Sequence, residues 1–212
     1  MRKLVLKMSM SLDGFVGGPN GEADWVFRTL DAGASAWILD GIRSAGAHLM
    51  GSRTFQDMLA YWPTSSDPMA APMNEIPKVV FSKHSGANRR DDRLTTAALK
   101  DAPREPLGLA APPSSDAAQS WARATVATGD LSVEIKKLKA QPGNYLLAHG
   151  GASFARSLVQ HKLIDEYWLL VHPVALGRGL PLFSGLSAPL DLKLVNTTAF
   201  GAGIVVHSYR PG

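Results

Sequence analysis

At 212 residues the chain can close one large core or two small ones, and 45% apolar with 19% charged residues is a globular composition, not a disordered one. The formal charge of +4 is thinly spread: the densest basic cluster, Arg89, Arg90 and Arg93, is interrupted by Asp91 and Asp92. No aromatic residues interleave with it, so no nucleic-acid partner is expected. No apolar run nears the roughly 20 residues of a membrane span, Met1-Arg2-Lys3 opens no signal peptide, and zero cysteines exclude disulfides, thiolate metal sites and a cysteine nucleophile. The expectation is a soluble, cytoplasmic chain with no membrane partner.

Lys3 to Met10 alternates, with Leu4, Leu6, Met8 and Met10 on one face, which predicts a strand. A turn at Ser11 to Gly14 and a glycine-rich loop (Gly17, Gly18, Gly21) follow. Trp37, Ile38 and Ile42 recur at helical spacing between about Ala34 and Ala45. Ala47 to Met50 is a short apolar strand, and Gly51 opens a second helix carrying Phe55, Met58 and Leu59. Tyr61 to Pro63 and a polar loop lead to a strand at Lys78 to Phe81.

From Gly86 to about Gln119 the texture changes to Arg, Asp, Ala, Pro and Ser, with Pro103, Pro106, Pro112 and Pro113 excluding long elements. This stretch reads as a surface insertion in one domain spanning 1–212, because neither flank could close a core alone. Asp130 then caps a helix bearing Leu131, Ile135 and Leu138, with lysines in its last turn. Tyr145 to Ala148 is a buried strand, Ser153 to His161 a helix and Tyr167 to Val171 a strong strand. Leu190 to Thr198, with Leu190, Leu192 and Leu194 alternating, pairs with Ile204 to Tyr209. Repeated strand–helix units with a closing hairpin predict an α/β fold, a mainly parallel sheet with helices on both faces and antiparallel final strands.

Two strand-to-helix turns can carry chemistry. Gly51-Ser52-Arg53-Thr54 puts a glycine, hydroxyls and a guanidinium at a helix start, where free N–H groups and the helix dipole favour an anion. The alternative is a capped helix with a surface arginine. His149-Gly150-Gly151-Ala152 is the second turn; its glycines allow close backbone approach to a pyrophosphate, or simply a tight turn. Ser82 and Lys83 end a strand with a hydroxyl and a cation suited to a 2′-phosphate, or form an ordinary strand end. No G-x-G-x-x-G pattern, metal-ligand spacing or G-x-S-x-G elbow occurs. His149 and His172 are expected to be hydrogen-bonded histidines of the framework.

Ser11-Leu12-Asp13-Gly14-Phe15-Val16-Gly17, Asp24-Trp25, Leu49 to Phe55, Val79 to Lys83, His149-Gly150-Gly151 and Asp165 to Phe183 occur in this order. Together they resemble the dihydrofolate reductase superfamily, in particular the bacterial branch similar to the C-terminal reductase domain of the riboflavin-biosynthesis deaminase/reductase. The resemblance spans nearly everything outside 86–119. It implies a three-layer, dihydrofolate-reductase-like fold around a central sheet of about eight strands, with NADPH across the strand ends, and a homodimer paired at sheet edges. It places Ser9 beside the nicotinamide, with Val16 and Gly17 in a mobile loop over it. Gly51, Ser52, Arg53 and Thr54 fall at the phosphates, Ser82 and Lys83 at the adenosine end, and Gly150, Gly151 and Ala152 at the pyrophosphate. Trp25 and Phe55 would flank a substrate, though core packing claims both equally.

The carboxylate that true dihydrofolate reductases carry on the first helix has no counterpart here: the matching position falls near Ser35, within Ala34-Ser35-Ala36. Folate reduction is therefore not the natural assignment. Asp13 could position substrate or relay a proton as a catalytic group, and Asp also suits the turn itself. The expected function is an NADPH-dependent oxidoreductase reducing a C=N or C=O bond of a small heterocyclic or sugar-like substrate. Within that class stands the pyrimidine reductase of riboflavin biosynthesis; outside it stands a nucleotide-binding module without turnover.

Overall fold

The computed structural model describes residues 1–82 and 120–212; the expected insertion and Lys83 lie outside the described residues. Leu4–Ser11 (β1) sends Leu4, Leu6 and Met8 into one apolar cluster and Val5 into another, so both faces of the strand are covered. Parallel strands need such cover, because each crossover lays a helix over the sheet. The chain continues as Ala32–Arg43 (α1), Ala47–Gly51 (β2), Ser52–Tyr61 (α2), Ala70–Glu75 (α3) and Lys78–Phe81 (β3). Thr125–Ala127 (β4), Leu131–Ala140 (α4), Leu146–Ala148 (β5) and Ala152–Gln160 (α5) follow. Glu166–His172 (β6), Leu192–Ala199 (β7) and Val205–Pro211 (β8) complete it.

All eight strands join one sheet in the order β4-β3-β2-β5-β1-β6-β8-β7. From β4 to β6 every pairing is parallel; β8 runs antiparallel to both β6 and β7. The sheet is thus the mostly parallel one expected, with the antiparallel closing pair. On one face Ile135 of α4 and Phe154, Ala155, Leu158 and Val159 of α5 pack with Leu4, Leu6, Leu49 and Leu146. On the other, Ala34, Ile38 and Ile42 of α1 and Met73 of α3 cluster with Val5, Met50 and Leu147, and Phe55, Met58 and Leu59 of α2 close over them. Each fully buried leucine or isoleucine contributes about 1.5–3 kcal/mol. Such packing, more than intrinsic propensity, holds helices this short.

Short elements depart from the sequence reading. The connection from Tyr61 to Lys78 holds a 3-10 turn, Trp62–Thr64, and α3. Asn74 of α3 is buried and tied on every side. Its amide donates to the Trp62 carbonyl (3.0 Å), the Trp121 indole donates to its side-chain oxygen (2.7 Å), and the Lys78 ammonium donates to its carbonyl (2.6 Å). Six residues around Pro72 carry too little periodicity to announce a helix. Asp24–Thr29 is likewise a 3-10 helix where none was expected, and β4 is strand only because it pairs with β3. In β7 the expected leucine alternation fails: the register shifts between Leu194 and Asn196, and Leu194 is 57% exposed. A bulge turns that edge away from the core.

Candidate functional site

β2 leads into α2 on one face of the sheet, whereas its neighbour β5 leads into α5 on the other. β1, on the far side of β5, leads to α1 on the same face as α2. Neighbouring strands whose connections diverge leave a crevice beyond their carboxyl ends, the usual ligand position in open α/β sheets. Gly51 and Gly150-Gly151 form its two lips, and the lips touch. A Cβ on Gly51 would lie 3.2 Å from Cβ of Phe154, and one on Gly151 would lie 2.6 Å from Oγ1 of Thr54. Gly151 also has φ 75° and ψ 115°, a conformation that L side chains avoid. The close approach these glycines permit is therefore between the corners themselves.

The helix starts differ by location. Asp31 caps α1, its carboxylate accepting from the Ala34 N–H at 2.8 Å, and Asp130 caps α4, accepting from the Val133 N–H at 3.0 Å. At the crevice, α2 and α5 begin on Gly51 and Gly151 with no capping side chain and no acidic residue in the first turn. Helix starts of this kind, with a positive dipole end and no capping side chain, suit an incoming anion. Ser52 and Arg53 stand exposed on the α2 side, and Ala152 opens α5. Ser82 follows β3, whose Phe81 opposes Gly51, and its N–H donates to the Ala127 carbonyl at 3.2 Å. Phe81 stacks on Phe154 at 4.9 Å, joining that strand end to the α5 lip.

Ser9 sits half-buried on β1 opposite Leu170. Beyond it the glycine-rich loop is pinned to the chain after β6. The Val16 N–H donates to the Leu180 carbonyl (2.9 Å), and the Leu180 N–H donates to Gly17 (2.8 Å). Asp13 fastens the same junction. Its carboxylate accepts from the Ser11 hydroxyl at 2.6 Å and from the N–H groups of Leu176 and Gly177 at 3.1 and 2.7 Å. The Ser11 hydroxyl foremost, then these backbone donors, hold Asp13 down to about 2. A carboxyl so acidic is a staple and a poor proton donor. Trp25 is buried, edge-on to His172 at 5.3 Å, and Phe55 tilts against Trp121 at 5.5 Å. Both make core contacts.

The sequence reading passed over Lys7 and His48 and expected His149 and His172 to be satisfied. Leu6, Ala148 and Leu49 share one row across β1, β5 and β2, so the next residues, Lys7, His149 and Met50, fall in line beneath the crevice. Lys7 is half-buried, and burial pushes its ammonium down to about 8. Among the described residues, neither ring nitrogen of the fully buried His48 has a hydrogen-bond partner of good geometry, although the Ile42 backbone favours its charged form, and the Nε2 atoms of His149 and His172 are enclosed and unbonded. The Thr29 hydroxyl pairs with the other nitrogen of His172 at 2.8 Å. Burial foremost pushes all three down: His48 to about 3, with repulsion from Lys78 and then Lys7; His172 to about 4, with repulsion from Lys7; and His149 well below the ordinary range, with repulsion from His48 and then Lys7. The missed signal was a cation at the centre of a strand covered on both faces, where no position points to solvent.

Comparison with known proteins bears on this geometry. A family model described as the RibD C-terminal domain matches residues 2–206. An uncharacterized Bacillus subtilis (strain 168) protein, YyaP, is 29% identical over 210 residues, covering 99% of this chain and 95% of its own. Among solved structures, a diaminohydroxyphosphoribosylaminopyrimidine deaminase/5-amino-6-(5-phosphoribosylamino)uracil reductase from Thermotoga maritima superposes with TM-score 0.66 at 19% identity, over 100% of this chain and 57% of that one. A dihydrofolate reductase from Enterococcus faecalis, complexed with NADP(H), superposes with TM-score 0.55 at 10% identity, over 99% of this chain and 96% of that one. The fold is dihydrofolate-reductase-like. Among the described residues, no helix is long and apolar enough to cross a membrane.

Proposed function

This chain belongs to the RibD C-terminal domain family, and from that premise we propose that it is an NADPH-dependent reductase. Its substrate is a small heterocyclic or sugar-like molecule with a reducible C=N or C=O bond, as in the pyrimidine-reductase step of riboflavin synthesis. One observation carries the reading. The two helices that start at the switch-point crevice are both uncapped and free of first-turn acids, while α1 and α4 carry aspartate caps. That polarity suits a pyrophosphate.

NADPH supplies a hydride from its nicotinamide ring, and the protein's contribution is orientation and exclusion of water. Gly51 to Thr54 and Gly150 to Ala152 hold the phosphates, with Ser82 and Lys83 toward the adenosine end. Ser9, Val16 and Gly17 border the nicotinamide. Asp13 keeps the loop bearing Val16 and Gly17 docked on residues 176–177, a positioning role. Lys7 stands below this row with an ammonium that is charged at neutral pH yet acid enough to give up a proton, and it serves the acceptor atom of the substrate.

The test is a titration with NADPH and with NADH, followed by nicotinamide fluorescence, then an oxidation assay over pyrimidine, imine and carbonyl substrates. Saturable NADPH binding tighter than NADH, with turnover of at least one substrate class, is expected. Absence of binding refutes the reading, and binding without turnover across the panel makes the chain a nucleotide-binding module. The same reading makes the chain a homodimer joined at the β7 edge, where Leu194 and Val195 are exposed. Light scattering should then return twice 22.6 kDa.

A further inference from the structure

α2 brings Ser52 and Arg53 to the crevice, yet deep apolar burial does little to fix where it lies. Of its ten residues only Asp57 is fully buried, while Phe55, Met58 and Leu59 are half-buried. No side chain caps its first turn. A helix this short takes its position from tertiary partners.

One buried side chain connects to both ends of it. Asn74 of α3 donates its amide N–H to the Trp62 carbonyl, at the C-cap of α2, at 3.0 Å. Its side-chain oxygen accepts from the Trp121 indole at 2.7 Å, and Trp121, 1% exposed, tilts against Phe55 in the first turn of α2. A carbonyl only accepts and an indole only donates, so an amide suits the place, a carboxylate fills half of it and a leucine none. Lys78, 2% exposed, locks the arrangement from β3. Its ammonium donates to the Asn74 carbonyl (2.6 Å) and the Ser120 hydroxyl (2.8 Å), and lies 4.7 Å from the centre of the Trp121 ring. The Ser120 hydroxyl donates to the same carbonyl. Shifting any member of such a buried network leaves others unpaired, so it holds one arrangement.

Resting on the reductase reading above, we propose that Asn74 and Trp121 are positioning residues for the cofactor, holding the first turn of α2 where it meets the phosphates. Neither touches the dinucleotide. They act through Phe55, and Lys78 braces them from beneath. The two bonds of Asn74 then have separable consequences. The bond from the indole governs the anion-binding turn, and the bond to Trp62 governs how firmly the far end of α2 is held.

Three variants of the full chain test this. Asn74→Leu removes both bonds, Asn74→Asp keeps the acceptor for the indole and loses the bond to Trp62, and Trp121→Phe keeps a ring and loses the indole N–H. NADPH and adenosine 2′,5′-bisphosphate, its phosphate-bearing half, should each bind about tenfold more weakly to Asn74→Leu, by fluorescence and calorimetry. Asn74→Asp should melt lower yet bind both within about threefold of the unmodified chain, a split that a merely structural role would not produce. Trp121→Phe should weaken both ligands by at least about threefold, and it stands in for Asn74→Leu should that variant not fold. With no ligand present, the amide resonances of Ser52 to Phe55 should shift in Asn74→Leu and Trp121→Phe and stay in place in Asn74→Asp. The resonance of Val133, at the start of α4, should stay in place in all three. Affinities that fall in step with Tm across the variants, or Ser52 to Phe55 resonances unmoved in Asn74→Leu and Trp121→Phe, overturn the proposal. If the unmodified chain binds no NADPH, the cofactor reading falls, and the ligand-free resonances decide whether Asn74 and Trp121 set the start of α2.

Discussion

Gly151→Ala tests how the two lips of the crevice are joined. The new Cβ would lie 2.6 Å from the Thr54 hydroxyl oxygen, on backbone at φ 75° and ψ 115°. The conformation alone costs an L residue about 1–3 kcal/mol, and forcing a methyl into filled space costs about 1–3 kcal/mol more. The expected loss is therefore about 2–6 kcal/mol, a large part of the roughly 5–15 kcal/mol that stabilises a folded chain. In thermal unfolding that lowers Tm by roughly 5–20 °C. Thr54→Ala removes the atom in the way and leaves the backbone strain. Combined with Gly151→Ala it should recover the steric share, a coupling of about 1–3 kcal/mol in a double-mutant cycle. Gly51→Ala, 3.2 Å from Cβ of Phe154, should cost less, since only a small shift is needed. If Gly151→Ala left Tm unchanged, or if the cycle were additive within about 0.5 kcal/mol, the lips would not be in contact as described.

Further outcomes follow from the site. Arg53→Ala should raise the NADPH Kd about tenfold, measured by fluorescence, as loss of one charge-assisted phosphate contact does. Lys7→Met should lower kcat by about 100-fold or more with little change in NADPH Kd. Asp13 is held below its unfolded pKa, so its contribution is complete above about pH 4 and disappears as pH falls through about 2. Asp13→Asn should flatten acid unfolding in that window. His48 titrates near 3 when folded and near 6.5 when unfolded, so the unfolded chain takes up a proton that the folded chain refuses and stability declines as pH drops across that interval. His48→Leu should remove that slope in pH-dependent melting, and by replacing two nitrogens that lack well-placed hydrogen-bond partners with apolar atoms it should not lower Tm at neutral pH.

The long elements could be read because their chemistry is local. Asp130 caps α4 and Ile135 lies on its buried face, just as the spacing predicts. Ile38 and Ile42 fix α1, and the glycine corners at Gly51 and Gly151 mark where strands end and helices begin. The crevice could not be read, since it depends on β5 inserting between β1 and β2, an order set by packing across the whole sheet. The same burial hid Lys7 and His48. Alternation in β1 assigns Lys7 to an open face, yet α1 and α2 cover that face, and His48 looked like part of an apolar run. α3 and β4 stayed invisible because a six-residue helix and a three-residue strand draw their stability from tertiary partners.

The amide resonances of Ser52 to Thr54 and Ala152 to Phe154, followed by NMR as NADPH is added, report directly on the two helix starts. Large, saturable shifts in both groups at one common Kd, with the capped starts of α1 and α4 unmoved, are expected. Saturation with shifts in only one group, or in neither, would show that the paired corners do not hold the dinucleotide.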